Sequence, residues 1–429
     1  MGATGSVWSK SVENSWHKSQ EDSKRQPFRI GLWGNFGTGN LGNECTLAST
    51  IQNVTQYVAD AQLLCICSEP EDAGPRHGIE AVRIRMAPTE GRQLPTILRK
   101  VRRVAIEIRD FIRAVVVAKE LDKLLITGTG ILSDAGEGHF GMPYQLFKWS
   151  LATKLAGAKV MFLSVGVEEV NSVLAKAFVK GALRLAEYRS YRDCQSRDRM
   201  QAIGLSVDND VVYPDLAFSL SESMPSHSRP RTSAKLVVGV GLYSYMGRGA
   251  AGEEDLAKYN AYLDIVCSFI TWLLVREYDV RIIIGDLMYD DEVRHDVRER
   301  LRQTGTVLDS HKYVDEPATS FEDLLEQLTL VDFLVATRFH SVLLALLAGR
   351  PVVSISYDAK NDVLMRDMGL GKYCQSLSRL NFDRLVEQFM DLEKNAAQLI
   401  PAMQLKAAEF RSKLDEQYRI VLGGARQSI

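Results

Sequence analysis

The sequence predicts an α/β protein built from two Rossmann-like, doubly wound domains that face each other across a cleft. First, 429 residues are too many for one ordinary hydrophobic core, so two domains of roughly 200 residues each are expected. Second, short apolar runs typical of buried strands alternate with segments of helical periodicity. Third, these runs end in small or charged residues, which places polar groups at one edge of a parallel sheet.

The same pattern divides the chain into five segments. Residues 1–27 are rich in Ser, Lys, Glu and Gln and lack the apolar region of a signal peptide, so a disordered tail is expected. Residues 28–222 form the first domain, the Ser- and Pro-rich residues 223–234 the linker, and residues 235–400 the second domain. Residues 401–429 are expected to form a helix long enough to pack back on the first domain.

The first domain opens with the strand Phe28–Gly34 and a glycine-rich loop, residues 35–43. A helix is predicted from about Glu44 with Asn43 as its N-cap, so that its first N–H groups face the loop. The loop glycines let a ligand approach the backbone closely. A tight strand-to-helix turn without any ligand is the alternative interpretation.

A loop and a basic helix follow the second strand, Leu63–Cys67. The Pro- and Gly-rich stretch up to Pro75 is predicted to be a loop. From Thr96 to Val117 apolar residues recur at helical spacing, and the opposite side of this amphipathic helix is basic. That side is either an ordinary solvated face or a contact with anionic lipid or a diphosphate-bearing acceptor. Its cations are Arg99, Lys100, Arg102, Arg103, Arg109 and Arg113.

Three further strands of the first domain lead into loops with candidate site residues. Leu121–Thr127 leads into Gly128-Thr129-Gly130, Val160–Val165 ends at Gly166, and Tyr188–Tyr191 leads into Arg192-Asp193. An arginine at the edge of a parallel sheet is suited to an anionic ligand. The alternative is that Arg192 only clamps its own loop through Asp193.

The second domain repeats this plan and contains the β-α-β unit Val335–Tyr357. Arg338 and His340 lie at its first turn, where open parallel sheets bind ligands. A histidine beside a buried helix is often a satisfied core residue, but an arginine cannot be buried unpaired without a large cost. An arginine here suits a phosphate or carboxylate, and a histidine can exchange a proton near neutral pH.

Composition and the remaining polar residues argue against several classes of protein. A net charge of −2 disfavours a nucleic-acid binder, and six dispersed cysteines disfavour a disulfide framework. The longest apolar region, residues 328–355, is interrupted by charges and is not a membrane span. Asp286, Asp290 and Asp291 resemble a sparse metal cluster, but carboxylates at a helix N-terminus are common, so no metal is expected. Lys360, taken alone, is a surface lysine.

Five segments of the chain form a recognisable set when they are read together. They are Gly34-Asn35-Phe36-Gly37-Thr38-Gly39-Asn40-Leu41-Gly42, Gly128-Thr129-Gly130, Ser190-Tyr191-Arg192-Asp193, Arg338-Phe339-His340 and Tyr357-Asp358-Ala359-Lys360. In this order they resemble the polysaccharide pyruvyl transferase family over most of the chain. The resemblance implies two domains of the GT-B type and phosphoenolpyruvate as the donor, without a cofactor. The product would be a pyruvate ketal on two hydroxyls of a sugar in a polysaccharide or lipid-linked oligosaccharide precursor, with phosphate released in the cytoplasm.

The resemblance also implies roles for individual residues. Arg338 and Arg192 would hold the donor's phosphate and carboxylate, and His340 would be the acid that protonates its methylene carbon. Substrate-binding roles would fall to Asn35, Gly37, Asn40, Gly42, Asn43, Gly128, Thr129, Gly130, Asp193, Tyr357 and Lys360. One position departs from the family pattern, because an aspartate is common where this chain has Asn43.

Two other classes of function stay open at this point. The GT-B architecture suits a nucleotide-sugar glycosyltransferase equally well, and the departure at Asn43 suits a non-catalytic carbohydrate-assembly protein. Release of phosphate from phosphoenolpyruvate, or of UDP from a UDP-sugar, separates the three. No nucleic-acid partner is expected. A peripheral contact with the inner face of the membrane would use Arg99, Lys100, Arg102 and Arg103.

Overall fold

The chain forms two parallel β-sheets, one of seven strands and one of six, which confirms the predicted fold class. The computed structural model describes residues 27–86, 96–134, 141–220, 235–244 and 253–423. The predicted tail, apart from Pro27, and the predicted linker 223–234 lie outside these residues. In the described ranges, no helix combines the length and the apolar character needed to cross a membrane.

The first sheet is built from short apolar strands that alternate with helices. Its strands are β1 (Arg29–Trp33), β2 (Gln62–Cys67), β3 (Glu80–Arg83), β4 (Lys123–Thr127), β5 (Lys159–Val165), β6 (Tyr188–Tyr191) and β7 (Val211–Val212). Its helices are α1 (Leu41–Tyr57), α2 (Pro70–His77), α3 (Thr96–Ala118), α4 (Met142–Leu155), α5 (Val173–Leu185) and α6 (Cys194–Ala202). The spatial order of the strands is β3-β2-β1-β4-β5-β6-β7, so the chain reverses its direction of growth between β1 and β4.

The second sheet repeats the arrangement. Its strands are β8 (Val237–Gly241), β9 (Asp279–Ile283), β10 (Tyr313–Val314), β11 (Phe333–Ala336), β12 (Val352–Ser356) and β13 (Cys374–Ser376). The helices are α7 (Glu253–Val275), α8 (Asp290–Gln303), α9 (Phe321–Thr329), α10 (Phe339–Leu347), α11 (Ala359–Asp367) and α12 (Phe382–Leu422). The strand order is β10-β9-β8-β11-β12-β13, and the point of reversal lies between β8 and β11. The Arg338 turn therefore lies directly beside this switch point.

Helix α12 joins the two domains. The sequence predicts separate helices over Asp383–Phe389 and Gln404–Tyr418, but the structure has one continuous helix through Pro401. Its first half packs on the second domain, where the Phe389 ring meets those of Phe269 and Phe333. Its second half lies against the first sheet, where Gln417 accepts a 2.6 Å hydrogen bond from the hydroxyl of Ser190. Burial on both domains holds the helix together across the proline.

Two local predictions in the first domain are wrong. Asn40, not Asn43, is the N-cap of α1, because its side-chain oxygen accepts a hydrogen bond from the Asn43 N–H at 3.2 Å. The stretch predicted to be a loop up to Pro75 contains helix α2. Pro70 lies in the first turn of α2, where a missing N–H costs nothing, and Gly78 ends the helix in the left-handed conformation.

Helix α3 has the predicted amphipathic sequence, but a row of its apolar residues is exposed together with Arg103 and Arg109 and is not buried as expected. The five apolar residues that follow one another along its outer side are 56–61% exposed. They are Val101, Val104, Ile108, Ile112 and Val116. The inner side instead buries Asp110, which forms an ion pair with the buried Lys148 of α4. The charged residues of the inner face find partners inside the domain, so the apolar stripe is left outside.

Candidate active site

A cavity of about 300 Å³ lies between the carboxyl ends of the two sheets. Loops after β1, β4, β5 and β6 line it from the first domain, and loops after β9, β11 and β12 line it from the second. Parallel strands direct their carboxyl ends to one edge, so polar residues that are distant in sequence meet there. The predicted site residues in its lining are Asn35, Asn40, Asn43, Thr129, Gly130, Arg192, Arg338, His340, Tyr357 and Lys360.

Arg338 is held in a fixed orientation by two carboxylates. It caps α10, and its Nε and one terminal nitrogen donate to the two oxygens of Asp290 at 3.0 and 2.5 Å. The other terminal nitrogen lies 3.7 Å from Asp286. Burial opposes the charged form, but the charge and hydrogen bonds of Asp290 outweigh it and raise the pKa of Arg338. The guanidinium therefore stays charged and rigid beside the cavity.

Arg192 brings a second buried cation from the first domain. Its terminal nitrogen lies 3.4 Å from Asp215, and its guanidinium packs 4.7 Å above the ring of Phe339. Burial works against the charged form, yet Asp215 and Asp193 together raise the pKa of Arg192. The alternative interpretation, a clamp on its own loop, is only part of its role, because Nε lies 3.6 Å from Asp193 while the side chain also contacts the second domain.

His340 lies in the first turn of α10, beside Arg192 and Asp215. Its Nε2 is 3.9 Å from Asp215, and its side chain is 17% exposed. Burial lowers the pKa of His340 to about 4, and the cations of Arg192 and Lys360 act in the same direction against Asp215. Without a ligand the imidazole is therefore neutral at pH 7.

Lys360 completes a set of three cations around the cavity. It follows β12, donates a 3.0 Å hydrogen bond to Glu168 and lies 5.0 Å above the ring of Tyr357. Burial opposes its charge, but Tyr357 and Glu168 outweigh it and raise the pKa of Lys360. The ring of Tyr357 also stacks on the ring of Tyr243, with 4.5 Å between their centroids. The guanidinium of Arg338 packs on the ring of Tyr243.

Four buried polar atoms around the cavity have no hydrogen-bond partner in the described part of the chain. They are Thr129 Oγ1, Arg192 Nε, His340 Nε2 and Ser341 Oγ. Buried polar groups are almost always hydrogen-bonded in native proteins, so several unpaired ones around a single cavity point to a polar ligand. All four belong to residues that line the cavity.

The glycine-rich loop links the two domains at the cavity rim. The N–H of Leu41 donates to the carbonyl of Gly285, and the N–H of Leu287 donates to that of Gly39. The side-chain amide of Asn40 donates a 3.1 Å hydrogen bond to Asp286. These contacts make the loop one wall of the cavity and fix the two domains relative to each other there.

The remaining predicted substrate-binding residues lie outside the cavity lining and have packing roles. A side chain at Gly37 would collide with the carbonyl of Glu69, and one at Gly128 with that of Ser164. Asp193 accepts a 2.6 Å hydrogen bond from the N–H of Ser196 and so caps α6.

Gly42 supports His340 from behind, and its replacement by alanine is expected to displace the imidazole. A Cβ at this position would lie 2.0 Å from His340 Nδ1. We expect Gly42→Ala to lower the free energy of unfolding by roughly 1–3 kcal/mol, the usual cost of overpacking, in urea titrations. Gly371→Ala is the control, because its nearest atom would lie at an ordinary 3.6 Å. Equal stability of the two variants would contradict this packing.

Two of the three acidic residues after β9, Asp286 and Asp290, hold Arg338, whereas Asp291 pairs with Arg294. Among the described residues, no three histidine, cysteine or carboxylate side chains form a group that could hold a metal ion. Asp290 is fully buried and also accepts hydrogen bonds from the backbone N–H groups of Ser244, Gly285 and Asp286. The carboxylates that resemble a metal cluster in the sequence thus bind arginines and lie at a helix N-terminus.

Comparison with known proteins places the chain in a family. The family model described as polysaccharide pyruvyl transferase matches residues 40–359, which is most of the chain and includes Arg192 and Arg338 of the cavity. The chain belongs to the polysaccharide pyruvyl transferase family. No curated protein shows significant sequence similarity to it.

Solved structures similar to this family member are GT-B enzymes, which confirms the GT-B type of fold. A UDP-GlcNAc 2-epimerase from Neisseria meningitidis bound to UDP-GlcNAc has a TM-score of 0.57 at 10% identity, over 92% of this chain and 98% of its own. A glycosyltransferase from Rickettsia africae has a TM-score of 0.59 at 10% identity, over 93% and 99%. Acinetobacter baumannii MurG has a TM-score of 0.51 at 13% identity, over 92% and 100%. At these identities the likeness concerns the fold alone.

The departure of this pyruvyl transferase family member from the family pattern, Asn43, lies in the cavity lining. Its side-chain amide donates a 3.0 Å hydrogen bond to the carbonyl of Asn35. An aspartate could not make this bond, because an ionised carboxylate has no proton to donate. The chain thus uses an amide to hold the loop after β1.

Sequence reasoning missed that three carboxylates orient the cations, although it named Asp290 as part of a metal-like cluster. Glu168 pairs with Lys360, Asp215 with Arg192, and Asp290 with Arg338. The signal was present for the first two, since Glu168 follows β5 and Asp215 follows β7 at the same edge as the cations. Their pairing could not be read from the sequence, because each partner comes from a different loop.

Proposed function

We propose that this protein transfers a pyruvyl group from phosphoenolpyruvate onto two hydroxyls of a sugar and releases phosphate. The observation that carries the proposal is the convergence of Arg192, Arg338 and Lys360 on one cavity with four unpaired polar atoms. Membership of the polysaccharide pyruvyl transferase family supports the same conclusion. A small, strongly anionic donor fits a site of this size and charge.

The donor would be held by cations from both domains. Arg338 lies at the N-terminus of α10, where N–H groups and the helix dipole favour an anion, and Ser341 Oγ faces the same cavity unpaired. This end suits the phosphate. Arg192 lies across the cavity, its Nε donates no hydrogen bond, and it suits the carboxylate. The carboxylates behind the arginines keep each fork oriented before the donor arrives.

The chemical step begins with a proton transfer from His340 to the methylene carbon of the donor. This creates positive charge at C2, which a first sugar hydroxyl attacks. The C2–O bond to phosphate then breaks, and a second hydroxyl closes the ketal at C2. One hydroxyl proton restores the proton lost by His340, and the other leaves with phosphate, so that the reaction is balanced.

His340 acquires its proton through the donor in this proposal. Its pKa of about 4 in the ligand-free protein leaves it neutral at pH 7. A bound trianion offsets the cations of Arg192 and Lys360 and favours the imidazolium. The acid is therefore charged only when its substrate is present.

The acceptor is a sugar of a polysaccharide or of a lipid-linked oligosaccharide precursor. Phosphoenolpyruvate is a metabolite of the cytoplasm, so the proposal assigns the protein to that compartment, at the inner face of the membrane where the acceptor is lipid-linked. No cofactor takes part, since proton transfer and electrostatic stabilisation suffice for this chemistry.

Donor binding tests the proposal, with Arg338→Lys as the decisive variant. Calorimetry is expected to detect phosphoenolpyruvate binding to the wild type, and no binding of UDP-sugars. Lysine replaces a planar fork by a point charge, so we expect the dissociation constant to rise roughly tenfold to a hundredfold. Arg276→Lys is the matched control, because Arg276 packs 4.7 Å above Trp272, as Arg338 does above Tyr243, but lies outside the cavity. Binding of a UDP-sugar and not of phosphoenolpyruvate would overturn the proposal.

A further inference from the structure

Helix α3 presents a continuous apolar stripe to solvent. Val101, Val104, Ile108, Ile112 and Val116 follow one another at intervals of three or four residues, and each is more than half exposed. Single exposed apolar residues are ordinary on protein surfaces, whereas a contiguous row marks an interaction surface. The row extends for at least four helical turns, from Val101 to Val116.

The orientation of α3 is fixed by buried polar contacts on its inner side. Asp110 and Lys148 pair with each other, and both side chains are 1% exposed. Arg113 donates a 2.7 Å hydrogen bond to the carbonyl of Arg83. Rotation of the helix to bury the stripe would break these contacts and strand a buried charge, which is strongly destabilising. These contacts therefore keep the stripe on the outer side of the helix.

The charges around the stripe decide what covers it. Between Val101 and Val116, every exposed side chain of this described stretch is either apolar or an arginine. The exposed residues are Val101, Arg103, Val104, Ala105, Ile108, Arg109, Ile112 and Val116. The two carboxylates of the stretch are turned inward, Glu107 to Arg85 and Asp110 to Lys148. A second copy about a two-fold axis would set arginine against arginine, whereas an anionic lipid surface complements both the stripe and the cations.

The stripe also borders a second cavity, which lies next to the donor cavity. This second cavity of about 1020 Å³ is lined by Val104 and Ile108 of the stripe and by Arg85 and Arg103. Met142 lines both this cavity and the donor cavity. A surface that meets α3 would thus lie beside the cavity that adjoins the donor site.

We propose that the outer face of α3 docks on an anionic lipid bilayer. The apolar stripe enters the boundary between headgroups and acyl chains, and Arg103 and Arg109 pair with lipid phosphates. The contact does not depend on the chemistry at the donor cavity. That the membrane also carries the acceptor rests on the proposed pyruvyl transfer.

Vesicle co-sedimentation tests the docking with the full chain. We expect the wild type to pellet with vesicles that contain phosphatidylglycerol and to remain in solution with vesicles of phosphatidylcholine alone. The double variant Ile112→Ser with Val116→Ser, which leaves the cavity lining intact, is expected to lower the partition coefficient about tenfold or more. Arg109→Gln is expected to lower it about fivefold and to reduce its salt dependence.

The controls separate docking from a second copy and from the proposed transfer. Val275→Ser with Val307→Ser removes two residues that are 77% and 83% exposed in the second domain and is expected to leave vesicle binding unchanged. A wild type that stays in solution with both kinds of vesicle overturns the docking, as does a dimer in sedimentation velocity that the α3 double variant dissociates. Phosphoenolpyruvate binding, measured on the same samples without lipid, reports on the proposed function independently.

Discussion

Replacing His340 by glutamine is expected to lower the rate of phosphate release from phosphoenolpyruvate about a hundredfold to ten-thousandfold, the usual worth of a general acid. Glutamine keeps much of the side-chain volume of histidine, which matters because residue 340 packs tightly against Gly42. Unlike histidine, it cannot become a cation beside the donor. Donor affinity is expected to change only a few fold, because the cations that hold the donor remain. The measurement is single-turnover phosphate release, with donor binding followed by calorimetry.

The same variant checks the protonation state of the histidine in the ligand-free protein. An unfolded histidine has a pKa of about 6.5, whereas burial lowers that of His340 to about 4, so unfolding takes up a proton between these values. The stabilisation from a neutral His340 is complete above pH 6.5 and is lost as the pH falls toward 4. Between pH 7.5 and pH 5 we therefore expect the free energy of unfolding of the wild type to fall by about 2 kcal/mol more than that of His340→Gln, as measured in urea titrations. Parallel pH profiles of the two proteins would contradict a neutral, buried His340 in the ligand-free protein. Near-normal turnover of His340→Gln would contradict its role as the acid.

The sequence was informative wherever one physical rule governs many residues. A run as apolar as Leu328–Ile355 predicts a buried β-α-β unit, and it contains β11, α10 and all of β12 except the last residue. Parallel strands share an edge, so the sequence predicts that the residues after β1, β4, β6, β11 and β12 meet, and they line one cavity.

What escaped prediction depends on contacts between distant segments. Helical periodicity tells which residues of α3 share a face but not which face is buried, and Lys148, 38 residues beyond Asp110, decides that question. Pro75 favours a loop when read alone, but Pro70 in the first turn and Gly78 at the C-terminal end allow the short helix α2 around it. The pairing of Arg338 with Asp290 spans 48 residues and leaves no periodic signal.

Asp290 is the residue whose loss is expected to damage the fold most. It is fully buried and binds the Arg338 fork with both oxygens, besides three backbone N–H groups. Asp290→Ala leaves a buried guanidinium with only the distant carboxylate of Asp286, so we expect the free energy of unfolding to fall by roughly 3–5 kcal/mol. Donor affinity is expected to fall as well, because the fork loses its orientation. Urea titration and calorimetry measure the two effects.

A second substitution separates the structural from the functional part of this loss. Adding Arg338→Met to Asp290→Ala removes the stranded charge, so much of the stability is expected to return, whereas donor binding is not. Asp315→Ala provides the control, because Asp315 is a buried carboxylate that pairs with Arg294 and Arg298 away from the cavity. It is expected to lower stability without changing donor affinity. If the double variant recovered donor binding along with stability, Arg338 would be a structural residue, and the anion would have to be held by Arg192 and Lys360 alone.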